Sequence, residues 1–181
     1  IELANGEYFN VSSLQVALDH NLAIIGASDI HGLIDYDYDI TAGTHRTVTL
    51  AFAEERSVTG IAQALFQKYT VALYDRQFIG REAELDALFN SFVSFERLPS
   101  RRKDRQQTTV RIRNAGPIAI ELKVAGNISL NKSVGYITVP AKGATVITVL
   151  DRAADEPVDL ELVWVNRWQA PHTHGADQVG L

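Results

Sequence analysis

Asp29 and His31 offer the most specific chemistry in this sequence: a carboxylate and an imidazole two positions apart, directly beyond the apolar run from Leu22 to Gly26. Both side-chain types ligate divalent metals, and residues at i and i+2 of an extended segment face one side, so the pair can reach one metal centre. The run reads as a buried strand, and active sites of α/β sheets and barrels are built beyond the carboxyl ends of such strands. Gly32 lets the chain turn away afterwards. Asp-x-His also arises by chance, and Asp29 as a turn or cap residue with His31 as a surface side chain is an equal reading of these two residues alone.

Other residues can join that chemistry. Asn5 ends the run from Ile1 and can hydrogen-bond a ligand residue from behind. His45 and Arg46 stand just before the apolar run Val48 to Phe52 and can enter the site from the neighbouring loop. Arg46 is the better phosphate contact, because a guanidinium forks onto two oxygens; an ion pair with Glu54, Glu55 or an Asp of the acidic loop is the competing account. Tyr36 and Tyr38, between Asp35, Asp37 and Asp39, can wall a substrate entrance or belong to an ordinary solvated loop. The three aspartates mimic an EF-hand start, but Ile40 stands at the sixth position and Arg46 at the twelfth, so a calcium loop is excluded. His172 and His174 follow no apolar strand and read as an exposed terminal tail. Arg97, Arg101, Arg102, Lys103 and Arg105 enclose Asp104 without interleaved aromatics and read as a solvated linker. His20 suits a helix end, where its side chain meets the last carbonyls.

The elements that must position these residues follow from periodicity. Apolar runs over residues 1–4, 22–26, 47–52 and 70–74 alternate with helical patterns over about 12–20, 57–68 and 81–93, which reads as βα units. Ser12 or Ser13 is expected to cap the first helix, with Asn21 just past its end and Leu14, Ala17 and Leu18 on one face. Ser57 precedes Ile61, Ala64 and Leu65, a stripe expected in the core. Beyond Leu98 helical periodicity stops. A polar stretch over 99–105 reads as an exposed linker, and alternating residues Val110, Ile112, Ile118, Ile120, Leu122 and Val124 flank a turn at 114–117. Further strands are expected near 127–130, 134–139, 144–150 and 158–165, with turns at 140–143 and 155–157, the pattern of a small immunoglobulin-like antiparallel sandwich. Trp164 and Trp168 read as its packing anchors.

Composition bounds the rest. The 181 residues are 46% hydrophobic and 22% charged, enough for a real core. A net charge of -5 and a pI near 5.5 leave no global basic footprint, so a nucleic-acid partner is not expected. No apolar run approaches the roughly 20 residues that span a bilayer, so no membrane span is expected. Zero cysteines exclude a disulfide scaffold, an iron-sulfur cluster and a thiol nucleophile. Zero methionines and Ile1 as the first residue give the expectation that the chain is a piece of a longer polypeptide.

Residues 24–31 (IIGASDIH) resemble the final metal-binding strand of the PHP superfamily, the polymerase and histidinol phosphatase group of metal-dependent phosphoesterases. Residues 1–5 (IELAN) resemble its preceding strand, and 14–21 (LQVALDHN) fit the helix between. Residues 32–39 (GLIDYDYD), His45 with Arg46, and 78–82 (FIGRE) resemble a branch of bacterial PHP phosphodiesterases with an appended β-sandwich, typified by the Sphingobium phosphodiesterase that acts on organophosphate diesters. The resemblance implies α/β followed by all-β: residues 1–98 as C-terminal βα units of a distorted (β/α)7 barrel, and 99–181 as the β-sandwich with a linker at its start and a flexible tail. It makes Asp29 and His31 metal ligands in a site holding two or three divalent transition ions (zinc, manganese or iron), where metal-activated water attacks a phosphate ester. It also implies a bacterial, periplasmic or secreted setting. The family's opening His-x-His strand, bridging Glu and middle histidines have no counterparts in this sequence. The missing N-terminal part of the same protein is therefore an expected partner, alongside a phosphate-ester small molecule. The alternative is a metal-free binding or structural module derived from such a barrel.

Overall fold

A computed structural model describes residues 1–39, 44–99, 107–126, 128–131, 135–150 and 159–180. In chain order the elements are β1 (Glu2–Asn5), β2 (Tyr8–Phe9), α1 (Val11–Asp19), β3 (Ile25–Ala27), α2 (Ile34–Asp37), β4 (Val48–Ala51), α3 (Val58–Gln67), β5 (Thr70–Tyr74) and β6 (Gln77–Gly80). Then follow α4 (Glu82–Phe92), β7 (Val93–Leu98), β8 (Gln107–Asn114), β9 (Ile120–Val124), β10 (Tyr136–Val139), β11 (Gly143–Leu150), β12 (Asp159–Trp164), β13 (Arg167–Trp168) and β14 (Ala176–Gly180). They fall into two compact units, Ile1–Ala87 with Arg167–Thr173, and Leu88–Asn166 with His174–Leu181.

In the first unit, β1 pairs in parallel with β3 and antiparallel with β2, giving the order β2-β1-β3. The helix between the parallel strands, α1, buries Leu14 and Ala17 as its spacing requires. Its cap differs from expectation: Asn10, not Ser12 or Ser13, is the extended residue whose Oδ1 accepts from the amides of Ser12 and Ser13 at 3.0 and 3.2 Å. The serines sit one turn too late and supply the orphan donors instead. Leu3, Ala4, Leu14, Ala17, Ile24, Ala72 and Ile79 form the core, with Phe9, Leu18, Tyr74 and Trp168 packed against it.

The second sheet of this unit, β13-β6-β5-β4, departs from simple βα alternation because β4, β5 and β6 are antiparallel neighbours. Asp75 and Arg76 both hold positive φ (39° and 60°), the twist that a two-residue hairpin between β5 and β6 demands. The described strands of the unit thus make two short sheets and do not display a closed barrel. Along α3, Ser57 caps as expected, accepting from Gly60 N at 3.0 Å. The apolar stripe does not: Gly60 and Ala64 are buried, while Ile61 and Leu65 are 46% and 37% exposed. The helix lies close to its surroundings through its smallest residues, which leaves the larger neighbours facing outward.

The second unit holds two antiparallel sheets, β10-β9-β12-β14 and β11-β8-β7. Alternation reads out cleanly on β8, where Thr108, Val110, Ile112 and Asn114 are buried. β7, which periodicity leaves with the first region, pairs with β8 from Val93↔Asn114 to Leu98↔Thr109. Trp164 is buried here, whereas Trp168 lies in the first unit on β13, beside β6. The expected tail after His174 contains β14, paired with β12. Residues 100–105 of the expected linker, Asn127, Val134, the 155–157 turn and Val158 lie outside the described residues.

Asn114 closes the turn at 114–117 from inside. Its Oδ1 accepts from Gly116 N at 2.8 Å, and its amide nitrogen lies 2.8, 3.2 and 3.2 Å from the carbonyls of Ile118, Val139 and Pro140. Two hydrogens serve three acceptors, so one is shared. Asn114→Ala strands a buried amide and carbonyls, each costing about 1–3 kcal/mol. A loss of about 2–3 kcal/mol in urea unfolding is expected, and a change under 0.5 kcal/mol would contradict this account of the turn.

Candidate functional site

The parallel pairing of β1 and β3 brings their carboxyl ends together, with Asn5 opposite Ala27 and Gly6 N donating to the Ala27 carbonyl at 2.9 Å. Both chains then leave the sheet through left-handed backbone, Gly6 at φ 56° and Asp29 at φ 53°. Glycine takes this region freely, and aspartate better than most other residues. A Cβ on Gly6 would stand 3.5 Å from the Asp29 Cβ, so the two turns lie against each other.

Beyond them opens a pocket of about 720 Å3 bordered by Asn5, Glu7, Tyr8, Asp29, His31, Tyr36, Asp37 and Tyr38. The candidate site residues Asn5, Asp29, His31, Tyr36 and Tyr38 thus meet at one place. The route differs from the expected one. β3 ends at Ala27, and the positive φ of Asp29 removes the extended geometry that would put positions 29 and 31 on one strand face. They share a pocket because their loop folds over the strand end. Asn5 Nδ2 donates to Glu2 Oε1 at 2.6 Å, so its amide is engaged on that side chain.

A second pocket, of about 640 Å3, shares Gly6, Glu7, Asp37 and Tyr38 with the first and adds His45, Tyr74, Asp75 and Arg76. His45 therefore borders the neighbouring pocket, and Arg46 borders neither. Among the described residues Arg46 also makes no ion pair with Glu54 or Glu55. The His172 ring lies 5.6 Å from the Trp168 ring, and neither His172 nor His174 borders these pockets. Arg97 donates to Thr108 Oγ1 at 3.0 Å from within β7; Arg101 to Arg105 lie outside the described residues.

The first pocket carries the carboxylates of Glu7, Asp29 and Asp37 and one imidazole, with no Lys or Arg on its wall. A phosphate ester is repelled by such a wall unless a cation intervenes. In donor type, Asp29 and His31 fit a divalent transition ion. In number they do not close a coordination shell, since no group of three or more His, Cys, Asp or Glu side chains gathers at metal distance among the described residues. Glu7 escaped the sequence reading because only the return of β1 through Gly6 brings it here, whereas Asp37 comes with the acidic loop already read as a candidate border of the entrance. The clue for Glu7 was its place one residue past a strand-terminal glycine.

Tyr74 donates from Oη to the Glu7 carbonyl at 2.5 Å. Burial, then the nearby charges of Asp75, Glu7 and Tyr38, push its hydroxyl above the usual tyrosine range. The raised value favours the protonated folded form, so this contribution to stability is intact below the ordinary tyrosine pKa and is lost as pH rises through the folded one. Tyrosinate absorbance should show a late-titrating component that disappears in Tyr74→Phe; an identical titration curve in that variant would refute the assignment.

No family model matches the chain, and no curated protein matches it. A solved two-domain protein from Bacteroides vulgatus, containing a predicted PHP-like metal-dependent phosphoesterase, is similar over 100% of this chain at 32% identity with a TM-score of 0.86. The match covers 52% of that protein, so the chain spans about half its length. What the chain resembles is therefore one half of a two-domain protein of predicted metal-dependent phosphoesterase type.

Proposed function

We propose that the chain is the C-terminal portion of a PHP-type metal-dependent phosphoesterase, with Asp29 and His31 as two of its metal ligands. The carrying observation is the likeness along the whole chain to a protein with a predicted PHP-like metal-dependent phosphoesterase. The pocket supports the same reading, because its donors suit a divalent ion and its carboxylate wall calls for one. Further ligands would come from polypeptide not present in the sequence, which would complete the (β/α)7 barrel around the first unit. The bound ions, zinc, manganese or iron, would activate water and polarise the phosphoryl oxygens.

In this reading the chain's own residues bind and orient. Asp29 and His31 hold metal from the loop after β3, Asn5 steadies the β1 end through Glu2, and Tyr36 and Tyr38 wall the entrance. His45 borders the adjoining pocket, and Arg46, from the neighbouring loop, is the proposed phosphate contact. The substrate is a phosphate diester of organophosphate type. The second unit, which takes in β7, is an immunoglobulin-like sandwich. A bacterial periplasmic or secreted location accompanies the resemblance; no described helix is long and apolar enough to cross a membrane.

In the full-length protein, Asp29→Asn and His31→Ala should each lower metal content by elemental analysis. Hydrolysis of a chromogenic phosphodiester should fall with it by about two orders of magnitude or more, the range for losing a ligand or its support. Unchanged metal content and turnover would refute Asp29 and His31 as ligands, whereas a wild-type protein with neither bound metal nor turnover would favour the metal-free module. A retained monoester activity with no diester activity would keep the phosphoesterase and remove the diester assignment.

A further inference from the structure

Thr47 is 3% exposed and has no part in the function proposed above. Its hydroxyl donates to the carbonyl of Gly6 at 2.7 Å. Its methyl faces β3 at Gly26, where a Cβ would lie only 3.1 Å from it. Gly6 in turn donates to Ala27 and lies against Asp29. One side chain thus touches the turn after β1 and the middle of β3, and it stands two residues after His45.

The loops on either side of Gly6 and Asp29 leave their sheet at the Gly6–Ala27 bond. Beyond that bond, the Thr47 hydroxyl is the contact that ties the Gly6 carbonyl to the rest of the unit. We propose that Thr47 is a positioning residue, whose hydroxyl fixes the left-handed Gly6 turn against Asp29 and so sets the spacing between Glu7 and the Asp29–His31 pair. The consequence for metal rests on the reading of that pair as ligands; the effect on the loops does not.

Valine keeps the shape of threonine and removes the donor, whereas serine keeps the donor and removes the methyl that faces Gly26. Amide nitrogen–proton spectra of the full-length protein therefore separate the two roles. In Thr47→Val, the signals of Gly6 to Tyr8 and of Ser28 to Gly32 should move and exchange about tenfold faster, while those of β5 stay in place. Thr47→Ser should restore them. Added Mn2+ should broaden Asp29 and His31 at a half-effect concentration about 10- to 100-fold higher in Thr47→Val than in wild type or Thr47→Ser, the usual consequence of losing a supporting contact.

Loop signals unmoved in Thr47→Val with β5 intact, or Thr47→Ser no better than Thr47→Val, would overturn the proposal. Should Thr47→Val lose the β5 signals, Thr47→Ser decides alone: unmoved loops uphold the hydroxyl as the holding group, and displaced loops overturn it. If Mn2+ broadens neither Asp29 nor His31 in the wild type, the metal-ligand reading falls while the loop signals still decide the role of Thr47.

Discussion

Where β3 meets β4 and β5, threonine hydroxyls replace a sheet ladder. Thr49 Oγ1 accepts from Gly26 N at 3.0 Å and donates to the carbonyl of the same residue at 2.8 Å, and Thr70 Oγ1 accepts from Ile24 N at 3.1 Å. Ile24 is fully buried and Gly26 nearly so, and an unpaired backbone group in that setting costs about 1–3 kcal/mol. Threonine suits the task because it favours a strand and carries a hydroxyl one bond from Cβ. Gly26 suits it from the other side: a Cβ there would stand 3.1 to 3.2 Å from Thr47, Val48 and Ala72. The two short sheets of the first unit are joined through this seam.

The pocket inherits its geometry from the seam. β3 is held on one edge by β1 and on the other by threonines, so its end is fixed and only the residues beyond Ala27 are free to leave the sheet. They do so through a left-handed aspartate, a conformation costing about 1 kcal/mol that persists where the surroundings over-determine it. Carboxylates then face the opening without a cation among them. Such an arrangement is poor for holding a phosphate directly and well suited to holding something positively charged that holds the phosphate.

The second unit uses the same device with amides. Where its ladders stop, Asn114 donates to the carbonyls of Ile118, Val139 and Pro140 and accepts from Gly116 N within the turn. Asn166 Oδ1 accepts from Glu121 N and Trp164 Nε1, while its Nδ2 donates to the Ala119 carbonyl at 2.9 Å. Short polar side chains at strand ends thus account for backbone groups that regular pairing leaves over.

Much of this was legible in the residues. Period-2 alternation located β8 and β9, period-3.6 stripes located α1, α3 and α4, and the strand-terminal Asp29 and His31 marked the place where the pocket opens. Local pattern carries that information because burial on one face imposes it residue by residue. The rest was not local. The outward Ile61 and Leu65 depend on which side of α3 finds a neighbour, and the placing of Trp168 depends on Arg167 and Trp168 pairing with β6 across nearly ninety residues of chain. The sequence by itself determined most of the longer elements, the buried face of α1 and a carboxylate–imidazole pair at a strand end. Only tertiary structure decided that Glu7 joins that pair and that Arg46 stands apart, because those placements follow from strand pairing, hydroxyl bonds and left-handed turns that no spacing along the chain encodes.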